Sequence, residues 1–579
     1  MIVNAKDFLM FSPSIFSHKI ENLRRDFPKD FDISSSALKI QKLGAEIQIV
    51  NSKITITEGI EKIASLIEDK ISDFGSKYFC KCLFIHFVKN HKYDHLYQRY
   101  LICREVNQIP FNQAPQIPYG YLLNLSAKSI YKPQKDLANP QESFIEIIEI
   151  STALVNCFYA CQPYSIWELE FQTGETIIDF VQSISLYDSS FTITQNKPSY
   201  ILEIIKHLFS WINDPKIYKK IGFTIEDFQA VSKIIFDIAK NTNGPKIIYI
   251  SDLTQEMHGK KIPNLRLILN ILSHNKNEIN VNYNIPSDNE SIDFPFKPLI
   301  EITSTEFLLL DKSWCAPAFY EALAFYLRIK KVKKIEENIG LSIESFLYNK
   351  FQKAGIIFTE GDYQVDGENG ESDMIVETEE AIIIIEFKKK VLTRKSKSGI
   401  DINIIIDLVD SLLSAQLQTG KIEILLKRNN YIELTNRNSI KEKIQLKERR
   451  IERIALTQLD FGGFQDRTIV KQLLSIFLTH KFGTYSKDAG ILKKFIQLEK
   501  KQESWISQYK QLCDIDSNYS DRVRFFDCWF LSINHLLLLL ENSSDNNSLY
   551  KELKRTKHVT FKTLDFYTEY FHSKSLNDK

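Results

Sequence analysis

Glu371-Ser372-Asp373-Met374-Ile375-Val376-Glu377-Thr378-Glu379-Glu380-Ala381-Ile382-Ile383-Ile384-Ile385-Glu386-Phe387-Lys388 reads as two short strands joined by an acidic turn. Ala381 to Ile385 is continuously apolar, the pattern of a strand buried on both faces. Side chains alternate along a strand, so Glu386 and Lys388 share one face and Phe387 takes the other. Asp373 opens the first strand and Glu386 ends the second, so a short hairpin brings them close. Charges at the edge of a core carry a large desolvation cost when unpaired. Two carboxylates and an ammonium at one spot relieve that cost, and a divalent cation would relieve it further.

The flanking sequence predicts more of the same layer. A helix over Ser342–Ala354 stops at Gly355. An extended segment follows at Ile356–Val365, ahead of the two strands quoted. A long helix over Asp401–Thr419 is closed by Gly420. Ile422–Leu426 and Ile451–Leu459 look like further strands. The remainder reads as helical, with a candidate strand at Arg522–Phe530. Upstream, strands are expected at Lys77–Val88, Lys246–Ile250 and Phe307–Leu310, and helices at Ile201–Ile212, Thr224–Lys240 and Ala316–Ile329. Ser273–Asn289 reads as a surface loop or hairpin. The charged run Lys330–Glu337 marks a boundary. The expected class is therefore mixed α/β and multidomain. Residues 1–332 form an α/β recognition or sensing region, with two subdomains left open. Residues 333–480 form a core with a central mixed sheet flanked by helices, and 481–579 a mostly helical extension packed on it.

The hairpin constellation suits phosphodiester hydrolysis. Oxygen ligands from Asp373 and Glu386 would hold Mg²⁺ and leave positions for water and a phosphate oxygen. Lys388 can position that water, help deprotonate it, or stabilise charge developing on the phosphate. Glu344 shares a helical stripe with Leu347, Tyr348 and Phe351, where a carboxylate needs a partner; the alternative is an exposed first-turn acid. Gln416 shares a stripe with Ile405, Val409, Leu412 and Leu413, as a site-supporting amide or a structural one. Charge is also segregated. Ala354 to Phe387 contains no Lys or Arg, and then Lys388, Lys389, Lys390, Arg394, Lys395 and Lys397 follow without an acid. Lys389, Lys390, Arg394, Lys395 and Lys397 are candidate phosphate contacts on a loop that Ser396, Ser398 and Gly399 make mobile.

At Glu371-Ser372-Asp373 and Ile382–Lys388 the chain resembles the PD-(D/E)XK, or restriction-endonuclease-like, nuclease superfamily. The resemblance covers roughly Gly340 to Leu459 and extends to the preceding helix, where Glu344 stands at the place of an additional acid. Ser372 replaces the name-giving proline. The resemblance implies a restriction-endonuclease-like core and a Mg²⁺-dependent nuclease, with Mn²⁺ able to substitute and Glu344 as a third metal ligand. It implies DNA as substrate in preference to RNA, and endonucleolytic cleavage in preference to exonucleolytic. It also implies a site-supporting Gln416 and a role in restriction-like or antiviral defence. An RNA or structure-specific repair nuclease, and a non-cleaving binding module, remain open at this point, as do a homodimer and a partner protein that supplies a trigger or motor.

Composition bounds the rest. The 579 residues carry 74 basic and 73 acidic side chains, so attraction to nucleic acid must be local. The cysteines Cys80, Cys82, Cys103, Cys157, Cys161, Cys315, Cys513 and Cys528 are scattered without a C-x-x-C pair, which suits free thiols in the cytoplasm. Met1–Phe27 shows no signal peptide, and Phe530–Leu540 is too short an apolar run to span a membrane. Cys80, Cys82 and His86 would alternate onto one strand face, with His91 and His95 beyond, but their spacing fits no common zinc finger. No phosphate-binding glycine loop or G-x-S-x-G elbow occurs. Asp460-Phe461-Gly462-Gly463 reads as a turn.

Overall fold

A computed structural model describes residues 28–50, 53–89, 93–102, 116–160, 176–256, 264–276, 278–365, 367–520, 523–558, 560–561 and 563–577. Met1–Phe27, His91, Cys103, Cys161 and Arg522, on which some of the expectations above rest, lie outside the described residues. The chain is mixed α/β and divides into two compact units.

The first unit runs to Phe346, apart from a piece that ends at Ser185. Here the expected strand Lys77–Val88 is instead the helix Ser76–Lys89. Phe79, Leu83 and Phe87 recur every four residues, with Cys80 and Phe84 beside them, and all five are buried. In a largely apolar run the two periods compete, and a run this long favours the helix. Cys80 and Cys82 then point about 200° apart, at roughly 100° per residue. Cys80 is buried and Cys82 is not. His86 Nδ1 lies 2.8 Å from the Tyr119 hydroxyl. The strand face that would have gathered Cys80, Cys82 and His86 therefore does not exist.

A four-stranded sheet runs in the order Lys246–Tyr249, Glu306–Leu309, Leu299–Thr303, Ser273–His274. Ser273–Asn289 is thus not all surface: its start pairs into this sheet, and Ile279, Asn280 and Tyr283 are buried. Asn280 Oδ1 accepts from the backbone N–H groups of Asp293 and Phe294, at 2.8 and 2.9 Å. Beside the sheet, buried Asp311 caps the helix Lys312–Ile329 by accepting from the N–H groups of Ser313 and Trp314. Its other oxygen accepts from the Tyr100 hydroxyl and Gly244 N–H.

The second unit takes Leu347 onward with the piece ending at Ser185. The division falls inside α1 (Ile335–Lys353), past the expected boundary. Then follow β1 (Thr359–Val365), β2 (Glu368–Glu377), β3 (Ala381–Lys388), α2 (Asp401–Leu408), a π-helical turn (Val409–Leu413) and α3 (Ser414–Asn429). After them come β4 (Tyr431–Thr435), β5 (Lys441–Gln445), β6 (Arg450–Thr457), α4 (Arg467–Thr479), α5 (Ala489–Ile515), β7 (Cys528–Ser532), α6 (Ile533–Glu541) and α7 (Asn546–Lys554). The strands form one sheet, ordered β5–β4–β1–β2–β3–β6–β7. β3, β6 and β7 are parallel and the other pairings antiparallel.

Two expectations are corrected here. Gly420 does not end the helix, which continues to Asn430, a left-handed cap at φ 62. A Cβ at Gly420 would come within 2.4 Å of Gln508 Oε1 and 2.7 Å of Arg453 Nη1, so this glycine permits close packing. Ile422–Leu426 is consequently helical, and Ile422, Leu425 and Leu426 pack with Ile382 and Ile384 of β3. Residues 481–579 are mostly helical, supply β7 to the sheet, and give Leu498 and Trp505 to the core. Ile177, Phe180, Val181 and Ile184 join that same core, packed with α2 and α4.

Candidate active site

The β2–β3 hairpin is locked at its turn. The Thr378 N–H donates to the Ala381 carbonyl, and Ala381 N–H donates to Thr378 Oγ1, both at 2.8 Å. Arg449 adds an ion pair to Glu377 at 2.5 Å and a hydrogen bond to the Thr378 carbonyl. The ladder pairs Glu377 with Ile382 and ends at Met374 and Ile385. One residue further, that register sets Asp373 opposite Glu386. On its other edge, β2 shifts register against β1 between Ser372 and Ile375. Asp373 therefore sits in a bulge, a device that re-aims a side chain and ends regular pairing. Its Oδ2 accepts from the Phe387 N–H at 2.7 Å, which orients the carboxylate.

Glu386 is 4% exposed. Its carboxyl is pushed up to about 7, first by burial and then by the charge of Asp373, with Lys388 pulling the other way. Glu371 raises it further. Lys388 Nζ donates to Glu386 Oε1 at 2.9 Å and also to Gln418 Oε1 on α3. Asp373, Glu386 and Lys388 are thus brought together at the end of two central strands.

The other candidate residues fall differently. Glu344 is half-buried on the part of α1 that belongs to the first unit. Among the described residues no group of three or more His, Cys, Asp or Glu is placed to hold a metal. Gln416 is fully buried, as its stripe implies. Its Nε2 donates to the carbonyls of Arg453 and Trp529, so it ties β6 to β7. The amide that meets the site is Gln418, two residues on. The π-helical turn re-phases the helix between α2 and α3, and a count along an ideal helix misses it.

The basic loop is fastened. Arg394–Lys397 is one turn of helix capped by Thr393. Buried Asp407 accepts from Thr393 N–H and Ser396 Oγ, while Ser185 and Gln182 donate to the carbonyls of Ser396 and Gly399. Lys390 is held by Asp407 at 3.4 Å and Asp410 at 3.5 Å, so it is not a free phosphate ligand. Lys389, Lys395 and Lys397 are exposed and Arg394 is half-buried. The acids that balance this loop come from α2 and the π-helical turn, some twenty residues on, where the loop's own sequence gives no sign of them.

Asp373 and Glu386 offer hard oxygen donors, and the buried negative charge they share is what a divalent cation would neutralise. Two carboxylates suit Mg²⁺, which keeps water and takes substrate phosphate for the rest of its shell. No protein-family model, curated protein or solved structure matches this chain.

Proposed function

We propose that the second unit is a metal-dependent nuclease of the restriction-endonuclease-like kind, hydrolysing phosphodiester bonds in DNA in preference to RNA. The observation that carries this reading is Glu386, a buried carboxylate raised to about 7 by burial and Asp373, with Lys388 beside it. An isolated charge cluster of this kind is costly in a purely structural role and is typical of functional sites. The succession α1, antiparallel β1–β2–β3, helix and parallel β6 also supports the reading.

In this reading Asp373 and Glu386 hold the cation, and Glu386 gives up its proton when it does so. Bound Mg²⁺ would polarise a phosphate oxygen and lower the pKa of a coordinated water. The Phe387 N–H keeps Asp373 aimed at the centre. Lys388, steadied by Glu386 and Gln418, presents its ammonium to the charge that develops on the attacked phosphate. A target-selecting first unit and a role in restriction-like defence accompany the proposal by analogy.

The test is incubation of the purified chain with plasmid, linear duplex, single-stranded DNA and RNA, each in Mg²⁺, Mn²⁺ or excess EDTA. Cutting of DNA in Mg²⁺ and none in EDTA is expected. Equal cutting in EDTA would sink the metal mechanism. Tight binding without cutting in any metal would replace the nuclease by a binding module.

A further inference from the structure

The second unit carries a strongly basic stretch that the centre above does not use. α5 begins at Ala489, yet its first buried residue is Leu498. About two and a half turns come before it, with Ile491 and Phe495 half-buried on one side and the other residues exposed. Lys481, Lys487, Lys493 and Lys494 are all exposed here. The one acid between Lys481 and Leu498 is Asp488, which caps the helix by accepting from Ile491 N–H. Among the described residues none of these four lysines is paired with an acid. Fully exposed Tyr485 lies among them.

This stretch is joined to the loop after the candidate centre by ion pairs. Lys501 follows Lys494 by seven residues, two turns along the same stripe of α5 and about 10 Å away. Lys501 pairs with Asp410 at 2.8 Å, and the other oxygen of Asp410 holds Lys390 at 3.5 Å. Lys390 lies two residues beyond Lys388. Ion pairs through Asp410 thus tie the loop after Lys388 to α5 two turns past Lys494, all within one unit, with Lys390 and Lys501 neutralised by acids and Lys494 left unpaired. The π-helical turn places Asp410 as the link.

We propose that the N-terminal end of α5 is a phosphate-gripping arm for a nucleic-acid duplex that leads away from the cleavage centre; this rests on the nuclease reading of that centre. A duplex presents one negative charge per about 1.7 Å of axis, so several unpaired ammonium groups on one short stretch can each meet a phosphate. Lysine binds phosphate as a point charge and needs no fixed register, which suits grip without base reading. Tyr485 offers a ring to a sugar or base face. A membrane would need a broad apolar face on this helix, and its exposed start offers only Leu492 and Ile496 as strongly exposed apolar residues.

The test compares the full chain with its K487Q/K493Q/K494Q variant. Binding of a labelled duplex of about 30 base pairs is followed by anisotropy in EDTA, so that nothing is cut, across a salt series. At roughly 0.9 per phosphate contact, the slope of log K against log salt should fall by about 2 to 3, and low-salt binding should weaken by about 10-fold or more. Cleavage of a duplex too short to reach from the centre to α5 should be unchanged. The charge-keeping K487R/K493R/K494R variant should bind as the parent does, which separates lost charge from lost fold. A parental slope in the glutamine variant, with a parent that binds and cuts, would overturn the arm and leave the nuclease standing. A parent that neither binds nor cuts any nucleic acid would overturn both. Loss of binding to phosphatidylserine vesicles with duplex binding intact would also overturn the arm and assign the surface to lipid.

Discussion

At the scale of single residues, the geometry around Lys388 separates turnover from binding. Its ammonium is held by Glu386 Oε1 and Gln418 Oε1, away from the N–H that orients Asp373. Lys388→Ala therefore leaves both proposed metal ligands and their hairpin in place. Under the proposed mechanism the lost charge is needed mainly when negative charge builds on the phosphate. Nucleic-acid affinity should stay near the parental value, while single-turnover cleavage falls by roughly 10²-fold or more. Lys388→Arg should not restore the rate fully, because a planar guanidinium differs in reach and cannot act as a base. Parental cleavage by Lys388→Ala would make the lysine a bystander. Glu386→Gln keeps the side chain's size but not its charge, so it should abolish cleavage while leaving the chain folded. Undiminished cutting by that variant would place the centre elsewhere.

At the scale of elements, the aim of Asp373 depends on how β2 departs from β1. Ser372 pairs with Gly361 just before the register shifts. Gly361 has φ 132, and a Cβ there would lie 2.2 Å from the Thr435 carbonyl oxygen of β4. Backbone strain and a backbone clash then act together. Gly361→Ala should destabilise the second unit by about 2–4 kcal/mol, read from its denaturation midpoint, and should lower cleavage by disturbing the bulge. A midpoint within error of the parent would show that β1 and β4 adjust freely. The hairpin itself was legible because its signals are local. An unbroken Ile run fixes a buried strand, the acidic turn closes the pair, and alternation puts Glu386 and Lys388 on one face. β3 begins and ends where the run suggests. Non-local causes were not legible. Gly420 looks like a helix stop until Arg453 and Gln508, from β6 and α5, come to lie against it. Gln418 meets Lys388 on a helix that carries a π-helical turn no periodicity announces. Lys390 looks like a free phosphate ligand until Asp407 and Asp410 arrive from the following helix. Lys77–Val88 failed for a different reason: in a nearly all-apolar run, alternation and helical spacing are both satisfied.

At the scale of the whole molecule, one buried group in each unit, His274 and Glu386, links stability to pH with opposite sign. In the first, His274 is buried and its Nε2–H donates to the Phe294 carbonyl at 3.1 Å. Burial holds its pKa down at about 4, the Phe294 bond and the acids Glu278 and Asp293 opposing and Lys297 adding to the effect. The unfolded chain takes up this proton near pH 6.5 and the folded chain only near 4, so stability is lost as pH falls between them. The difference is worth roughly 3 kcal/mol at 1.36 kcal/mol per unit. In the second unit, Glu386 is raised from 4.5 to about 7. Here the folded chain holds the proton longer, so stability is lost as pH rises from about 4.5 to 7, again by roughly 3 kcal/mol. Each contribution can be isolated as the difference in unfolding free energy between parent and variant. The stability of the parent relative to His274→Gln should fall on acidification from pH 7 to 4. The stability of the parent relative to Glu386→Gln should rise over the same change. Saturating Mg²⁺ at pH 7 should remove most of the Glu386 penalty, because a cation favours the ionised carboxylate. If Mg²⁺ left that difference untouched while the pH slope appeared as described, Glu386 would be a buried acid and not a metal ligand.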